Sequence, residues 1–143
     1  MAAKSKYHSI VENLIKSNCL LNHLNLISDV QFYPSPKGRG SKISWGLISE
    51  ENENVRGLVS LKTQDQGGTA EEKVVYEIVN LLTIMDNDSR YKKSWVCLVG
   101  PGFTPALKDF YIQDLHHKVP EMREKVFIIN DLQGLKLTNF ALP

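Results

Sequence analysis

A chain of 143 residues and 16.2 kDa has the length of one domain with a single hydrophobic core, so a one-domain enzyme or binding module is the ceiling. Hydrophobic residues at 42% and charged residues at 23% exclude a disordered or collagen-like composition. A net charge of +1 and an isoelectric point near 7.8 exclude a generally basic surface, so any nucleic-acid contact has to come from a local patch.

Ile10, Val11, Leu14, Ile15 and Leu21 recur near the helical period and predict a first helix over about Tyr7 to Asn22. Leu26 to Tyr33 is apolar and β-prone, and Pro34-Ser35-Pro36-Lys37-Gly38 stops it. Lys37, Arg39 and Lys42 then stand among small residues that let a backbone approach a phosphate closely, which makes them candidate DNA contacts. A solvated loop has the same composition. Ile43 to Ser49 and Val55 to Thr63 are strand-like runs joined by Glu50-Glu51-Asn52-Glu53-Asn54, a polar turn that suits an antiparallel hairpin.

From Thr69 to Met85, the apolar Val74, Val75, Ile78, Val79, Leu82 and Met85 mark a long amphipathic helix, ended by Asp86-Asn87-Asp88-Ser89. Ser94 to Val99 is a strand apolar enough to be buried on both faces, closed by Gly100-Pro101-Gly102. A helix from Thr104 to about Lys118, with Pro105 in its first turn, and a last buried strand, Val126 to Asn130, follow. The tail from Asp131 to Pro143 shows no clear period. The order helix, three strands, helix, strand, helix, strand predicts an α/β fold over residues 1–143, with a mixed central sheet flanked by helices.

No apolar run approaches the roughly 20 residues of a membrane span, and Met-Ala-Ala-Lys-Ser-Lys at the start lacks the apolar stretch of a signal peptide. Cys19 and Cys97 lie in apolar runs as buried free thiols do, which points to a reducing, cytoplasmic setting. Neither has a second Cys or a His at zinc spacing, so His8, His23, His116 and His117 read as surface or partly packed. Gly100-Pro101-Gly102-Phe103-Thr104 lacks the spacing of a nucleotide-binding loop and reads as a turn capped by Thr104.

Side-chain alternation in the strand Gly57 to Thr63 sends Ser60, Lys62 and Gln64 to one face, and Val59 and Leu61 to the other. The polar face is either a cleft or simply wet. The strand turns at Gly67-Gly68 into the helix that opens Thr69-Ala70-Glu71-Glu72-Lys73, where Thr69 and Glu72 also have capping-box spacing.

Lys62, Gln64 and Gly68-Thr69-Ala70-Glu71-Glu72-Lys73, together with the order of elements, resemble the PD-(D/E)XK nuclease superfamily of restriction and homing endonucleases. The resemblance spans roughly residues 7 to 100 and is strongest from Ser60 to Lys73. It implies Mg²⁺- or Mn²⁺-dependent hydrolysis of double-stranded DNA, by a homodimer or as one subunit of a larger nuclease. Lys62 would orient the attacking water or stabilise the developing phosphorane-like charge, and Gln64 would position the water or the phosphate.

Two positions depart from the family pattern. Ser60 stands where the superfamily has an acidic residue before the lysine, and the other acidic position falls near Ser44; neither supplies the anionic oxygen that hard cations prefer. Some restriction enzymes of this superfamily carry serine there and recruit a glutamate from the following helix. Glu77, fifteen residues after Lys62, lies near the usual offset, and Glu72 about a turn earlier. The two are about 140° apart around a helix, so at most one faces the cleft. Glu12, on a first helix whose glutamate often joins the metal site in the superfamily, is the further metal ligand by position, ahead of Asp29 and Glu50. The rival expectation is a nuclease fold that has lost its carboxylates and acts as a DNA-binding or accessory subunit. A carboxylate oxygen within about 5 Å of the Lys62 amine separates the two.

Overall fold

The computed structural model describes residues 6–32, 41–64, 70–101, 103, 109–111 and 113–143, with the backbone alone for 70–72. The elements are α1 (His8–Leu21), β1 (Leu24–Phe32), β2 (Ser41–Ser49), β3 (Arg56–Thr63), α2 (Ala70–Asn87), β4 (Tyr91–Val99), α3 (Leu115–Lys118), a 3-10 turn (Pro120–Met122), β5 (Val126–Asn130) and α4 (Asp131–Leu137). The five strands form one mixed sheet in the order β1-β2-β3-β4-β5. β1, β2 and β3 are antiparallel neighbours, whereas β3, β4 and β5 run parallel. The protein is α/β, with helices on both faces of a mixed sheet, as expected. Among the described residues no helix is long and apolar enough to cross a membrane.

Alternation along the central strands divides the core in two. Leu58, Val96 and Leu98 pack under α2 against Val74, Ile78 and Leu81. Their neighbours Val59, Cys97 and Val99 pack on the opposite face, against Val11 and Ile15 of α1 and Leu135 of α4. β4 is accordingly buried on both faces from Ser94 to Val99, as its unbroken apolar run requires.

β1 and β2 exchange faces half-way along. Trp45 belongs to the α1 face, yet Ile43, two residues earlier, belongs to the α2 face. Opposite this reversal Asp29 takes φ 55°, a left-handed conformation that Asp tolerates better than most residues, and is passed over in the ladder between Ser28↔Trp45 and Val30↔Ile43, whose register is the same on both sides. The β2–β3 pairing ends at Trp45↔Val59, and beyond it the Ser44 hydroxyl accepts the Leu61 N–H at 3.0 Å in place of a ladder carbonyl. Ser41 and Ile43 are thereby turned toward α2.

Two expectations need correction. Val75 and Val79 do not lie on the buried stripe of α2; they are 37% and 51% exposed, and Glu77 and Asn80 are buried in the turn between them and the sheet. These two polar side chains turn inward because partners wait for them there. The tail, without legible period, contains α4. Two turns are too short to display periodicity, and the helix is started by Asp131, whose Oδ1 accepts the N–H groups of Gln133 and Gly134. Asn18 then clamps the following residues, donating to Thr138 O at 2.8 Å and accepting from Phe140 N at 2.9 Å. Of the helix expected over 104–118, residues 104–108 lie outside the described residues; 109–111 and 113 are helical, and a turn at Asp114 precedes α3.

Candidate active site

The carboxyl ends of the parallel strands β3, β4 and β5 lie at one edge of the sheet, together with the amino end of antiparallel β2. Open α/β sheets bind ligands at such an edge. Ser41, Ser60, Lys62 and Gln64 are all delivered to it. Ser60 and Lys62 project to the α2 face, opposite to Val59 and Leu61, which pack toward α1.

There they meet Glu77. Lys62 Nζ lies 2.7 Å from Glu77 Oε2, and the Ser60 hydroxyl donates to the same oxygen at 3.0 Å. Asn80 Nδ2 donates to Glu77 Oε1 at 3.0 Å and to Ser41 Oγ at 3.1 Å. Glu77 is buried, while the Lys62 side chain is 26% exposed. Burial pushes the Glu77 carboxyl up, but the Lys62 ammonium and the hydrogen bonds from Asn80, Lys62 and Ser60 outweigh it and hold the carboxyl below its usual range. A buried carboxylate is therefore kept ionised beside a cation that reaches solvent. Because Ser60 touches Oε2, the carboxylate carried by α2 occupies the space into which a longer acidic side chain at position 60 would extend.

The remaining candidates are distributed as follows. Gln64 is buried one residue beyond β3, its N–H donating to Val99 O at 3.2 Å. Gly100 is pressed against it with φ 122°, and a Cβ there would stand 2.4 Å from Gln64 O. The Glu72 side chain, Lys37 and Arg39 lie outside the described residues. Lys42 is exposed and, lying between Ser41 and Ile43, projects away from α2.

Glu12 is not brought to the Lys62–Glu77 pair. It sits over the other face of the sheet, accepting from Ser28 Oγ at 3.1 Å, with His8 Nδ1 at 3.9 Å. The reason is that α1 and α2 cover opposite faces. Asp29 is exposed at the β1 irregularity, and Glu50 is exposed at the far end of β2. Ser44 is engaged with the Leu61 backbone. Among the described residues no group of three or more His, Cys, Asp or Glu could hold a metal ion. The thiols are free and buried; desolvation pushes Cys19 up to about 11 and Cys97 up to about 12, which removes them as nucleophiles.

Sequence reasoning missed Asn80 and Ser41. Asn80 left a signal: an amide inside the apolar run Ile78-Val79-Asn80-Leu81-Leu82, three residues after Glu77 and hence its neighbour on the helix. Ser41, far away in sequence, left none. No family model and no curated protein matches the chain, so the functional reading rests on the geometry and chemistry of this cluster.

Proposed function

We propose that the protein is a metal-dependent DNA endonuclease of PD-(D/E)XK type, in which Glu77 on α2 does the work of the missing strand carboxylate. The observation that carries this reading is the 2.7 Å contact between Lys62 and Glu77 with Ser60 on the same oxygen. A carboxylate is thus well inside the distance at which a lysine and an acid share a metal-bound water or a phosphate.

The donor set suits a hard cation such as Mg²⁺ or Mn²⁺. Glu77 is ionised, and a carboxylate has about four acceptor sites, of which Lys62, Ser60 and Asn80 take three. A cation of this kind, when bound, polarises the scissile phosphate and lowers the pKa of a coordinated water. Glu77 is the residue that would hold it; of Glu77 and Glu72, about 140° apart around the helix, only one can face the cleft. Lys62 places its ammonium where the attacking water and the developing phosphoryl charge gather, and Ser60 and Asn80 keep the Glu77 carboxylate in one orientation. Gln64, at the end of the same strand, positions the phosphate or the water.

The substrate in this reading is double-stranded DNA, gripped through Lys37, Arg39 and Lys42. Cutting both strands favours a two-fold homodimer or assembly with a second nuclease subunit. Two buried free thiols support a reducing, cytoplasmic setting. The test is plasmid cleavage with Mg²⁺ or Mn²⁺ by the intact chain, Lys62→Ala and Glu77→Gln, with a chelator control. Cutting that needs metal, Lys62 and Glu77 is expected.

A second reading is favoured by Ser44 and by the closed Lys62–Glu77 pair: a DNA-binding or accessory protein on a nuclease scaffold, the ion pair serving structure. Intact DNA binding without cutting under any divalent metal would select it.

A further inference from the structure

Asn80 is 4% exposed, and its amide is only half used. Nδ2 donates both hydrogens, one to Glu77 Oε1 and one to Ser41 Oγ. Oδ1 has no hydrogen-bond partner among the described residues. Exchanging the amide oxygen and nitrogen does not relieve this, because it sets the carbonyl oxygen against the Glu77 carboxylate. A buried carbonyl oxygen left unpaired is costly, and in folded proteins it commonly marks a water or an ion.

Glu77 has the complementary deficit. Among the described residues Oε2 accepts from both Lys62 and Ser60, whereas Oε1 accepts from Asn80 alone, so the unspent acceptor site of the carboxylate is on the oxygen that faces the Asn80 amide. Two neighbouring side chains on one helix face therefore each keep an oxygen acceptor unspent among the described residues. Both are hard oxygens, and the Lys62 beside them opens to solvent, where a substrate phosphate can approach. Mg²⁺ and Mn²⁺ sites of enzymes that act on phosphates take one or two protein oxygens and complete the shell with water and phosphate.

We infer that Asn80 is a second protein ligand of the divalent-cation site, its Oδ1 acting with Glu77 Oε1 on Mg²⁺ or Mn²⁺. The neutral amide oxygen stands in for a carboxylate that Ser44 and Ser60 do not provide. This rests on reading Glu77 as a metal ligand, and it adds a ligand that does not belong to the family's acidic pattern.

The test is Mn²⁺ binding to the full chain in the presence of a duplex oligonucleotide, followed by the electron paramagnetic resonance of free Mn²⁺. Thermal unfolding midpoints with and without Mn²⁺ are measured in parallel. The wild type binds and its midpoint rises. Glu77→Gln and Asn80→Ala each weaken binding by about tenfold or more. Asn80→Asp binds more tightly than wild type, because a carboxylate replaces a neutral oxygen ligand. Ser41→Ala, which removes only the other bond of the amide, stays within about twofold. If Asn80→Ala does not fold, Asn80→Ser is read in its place.

Weaker binding by Asn80→Asp together with Asn80→Ala would overturn the inference, since it would mean that Asn80 only steers Glu77 through Nδ2. Unchanged binding by Asn80→Ala would overturn it too, leaving a buried water as the partner of Oδ1. In both cases loss of binding in Glu77→Gln would leave the role of Glu77 standing. No Mn²⁺ binding by the wild type would remove both.

Discussion

The two faces of the sheet are fed by the same strands and are built on different chemistry. Under α1 and α4 the described side chains of the interior are almost wholly apolar: Val11, Ile15, Trp45, Leu47, Val59 and Cys97 meet there, and Glu12 of α1 stays at the rim with Ser28 and His8. Under α2 the same strands deliver Ser41, Ser60 and Lys62 to a buried Glu77 and Asn80. A carboxylate buried under a helix keeps its charge only where donors replace water, and Glu77 has three among the described residues. The α2 face therefore sets a cluster prearranged for charge into an apolar core, whereas the interior of the α1 face is apolar.

The largest expected effect lies in activity. Lys62→Ala and Glu77→Gln should each slow plasmid cleavage by about 10²–10³-fold or more, whereas Glu12→Gln should change it by less than about twofold. An equal loss in Glu12→Gln would erase the distinction between the faces. Next is stability, read by urea unfolding of two adjacent residues on β3. Val59→Ala leaves a cavity on the apolar face and should cost about 2–3 kcal/mol. Ser60→Ala removes one hydrogen bond to a carboxylate that keeps two other partners and should cost about 1 kcal/mol. A reversal of that order would mean that the polar cluster, rather than the α1 side, anchors the sheet.

Thiol chemistry sharpens the same contrast. Cys19 and Cys97 both lie on the apolar face with their thiols pushed up to about 11 and about 12 by burial. A disulfide reagent at pH 8 should leave the native chain unmodified over hours and label both cysteines at once in denaturant; rapid native labelling would show that this face opens.

The smallest effect belongs to Asp88, at the turn between α2 and β4, where the hydrogen bonds from Arg90 hold its carboxyl below the usual range. A depressed carboxyl stabilises the fold above its unfolded value and loses that contribution as pH falls through the folded value. Because Arg90 is well exposed, solvent screens the pair. Asp88→Asn should therefore cost only about 0.5 kcal/mol at neutral pH, measured as a shift in the unfolding midpoint, and the difference should vanish in acid.

Much of the fold was legible because it depends on local period. The unbroken apolar run of β4 announced burial on both faces, β5 was bounded at Val126 and Asn130, and alternation placed Ser60 and Lys62 together. The rotation of α2 was not legible. Val74, Val75, Ile78 and Val79 fit an apolar stripe as well as the true one does, and the choice fell to the inward positions of Glu77 and Asn80, whose partners lie on β2 and β3. The reversal of faces at Asp29 and Ser44 was hidden as well, since strict alternation carries no mark of one pair missing from a ladder whose register is otherwise unbroken. α4 escaped for want of length.

Periodicity and chain order alone were enough to specify a mixed sheet between helices and a lysine on a polar strand face, because each depends on residues a few positions apart. Which acid would meet that lysine depended on packing. Glu12, Glu72 and Glu77 were comparable as sequence, and the covering of opposite faces by α1 and α2 took Glu12 away from the site. The same packing turned Glu77 to Lys62 and Ser60, and joined Ser41 to Asn80 across 39 residues of chain. Such contacts arise only when separate elements bury a shared surface, and no local pattern in the chain encodes the rotation at which they do so.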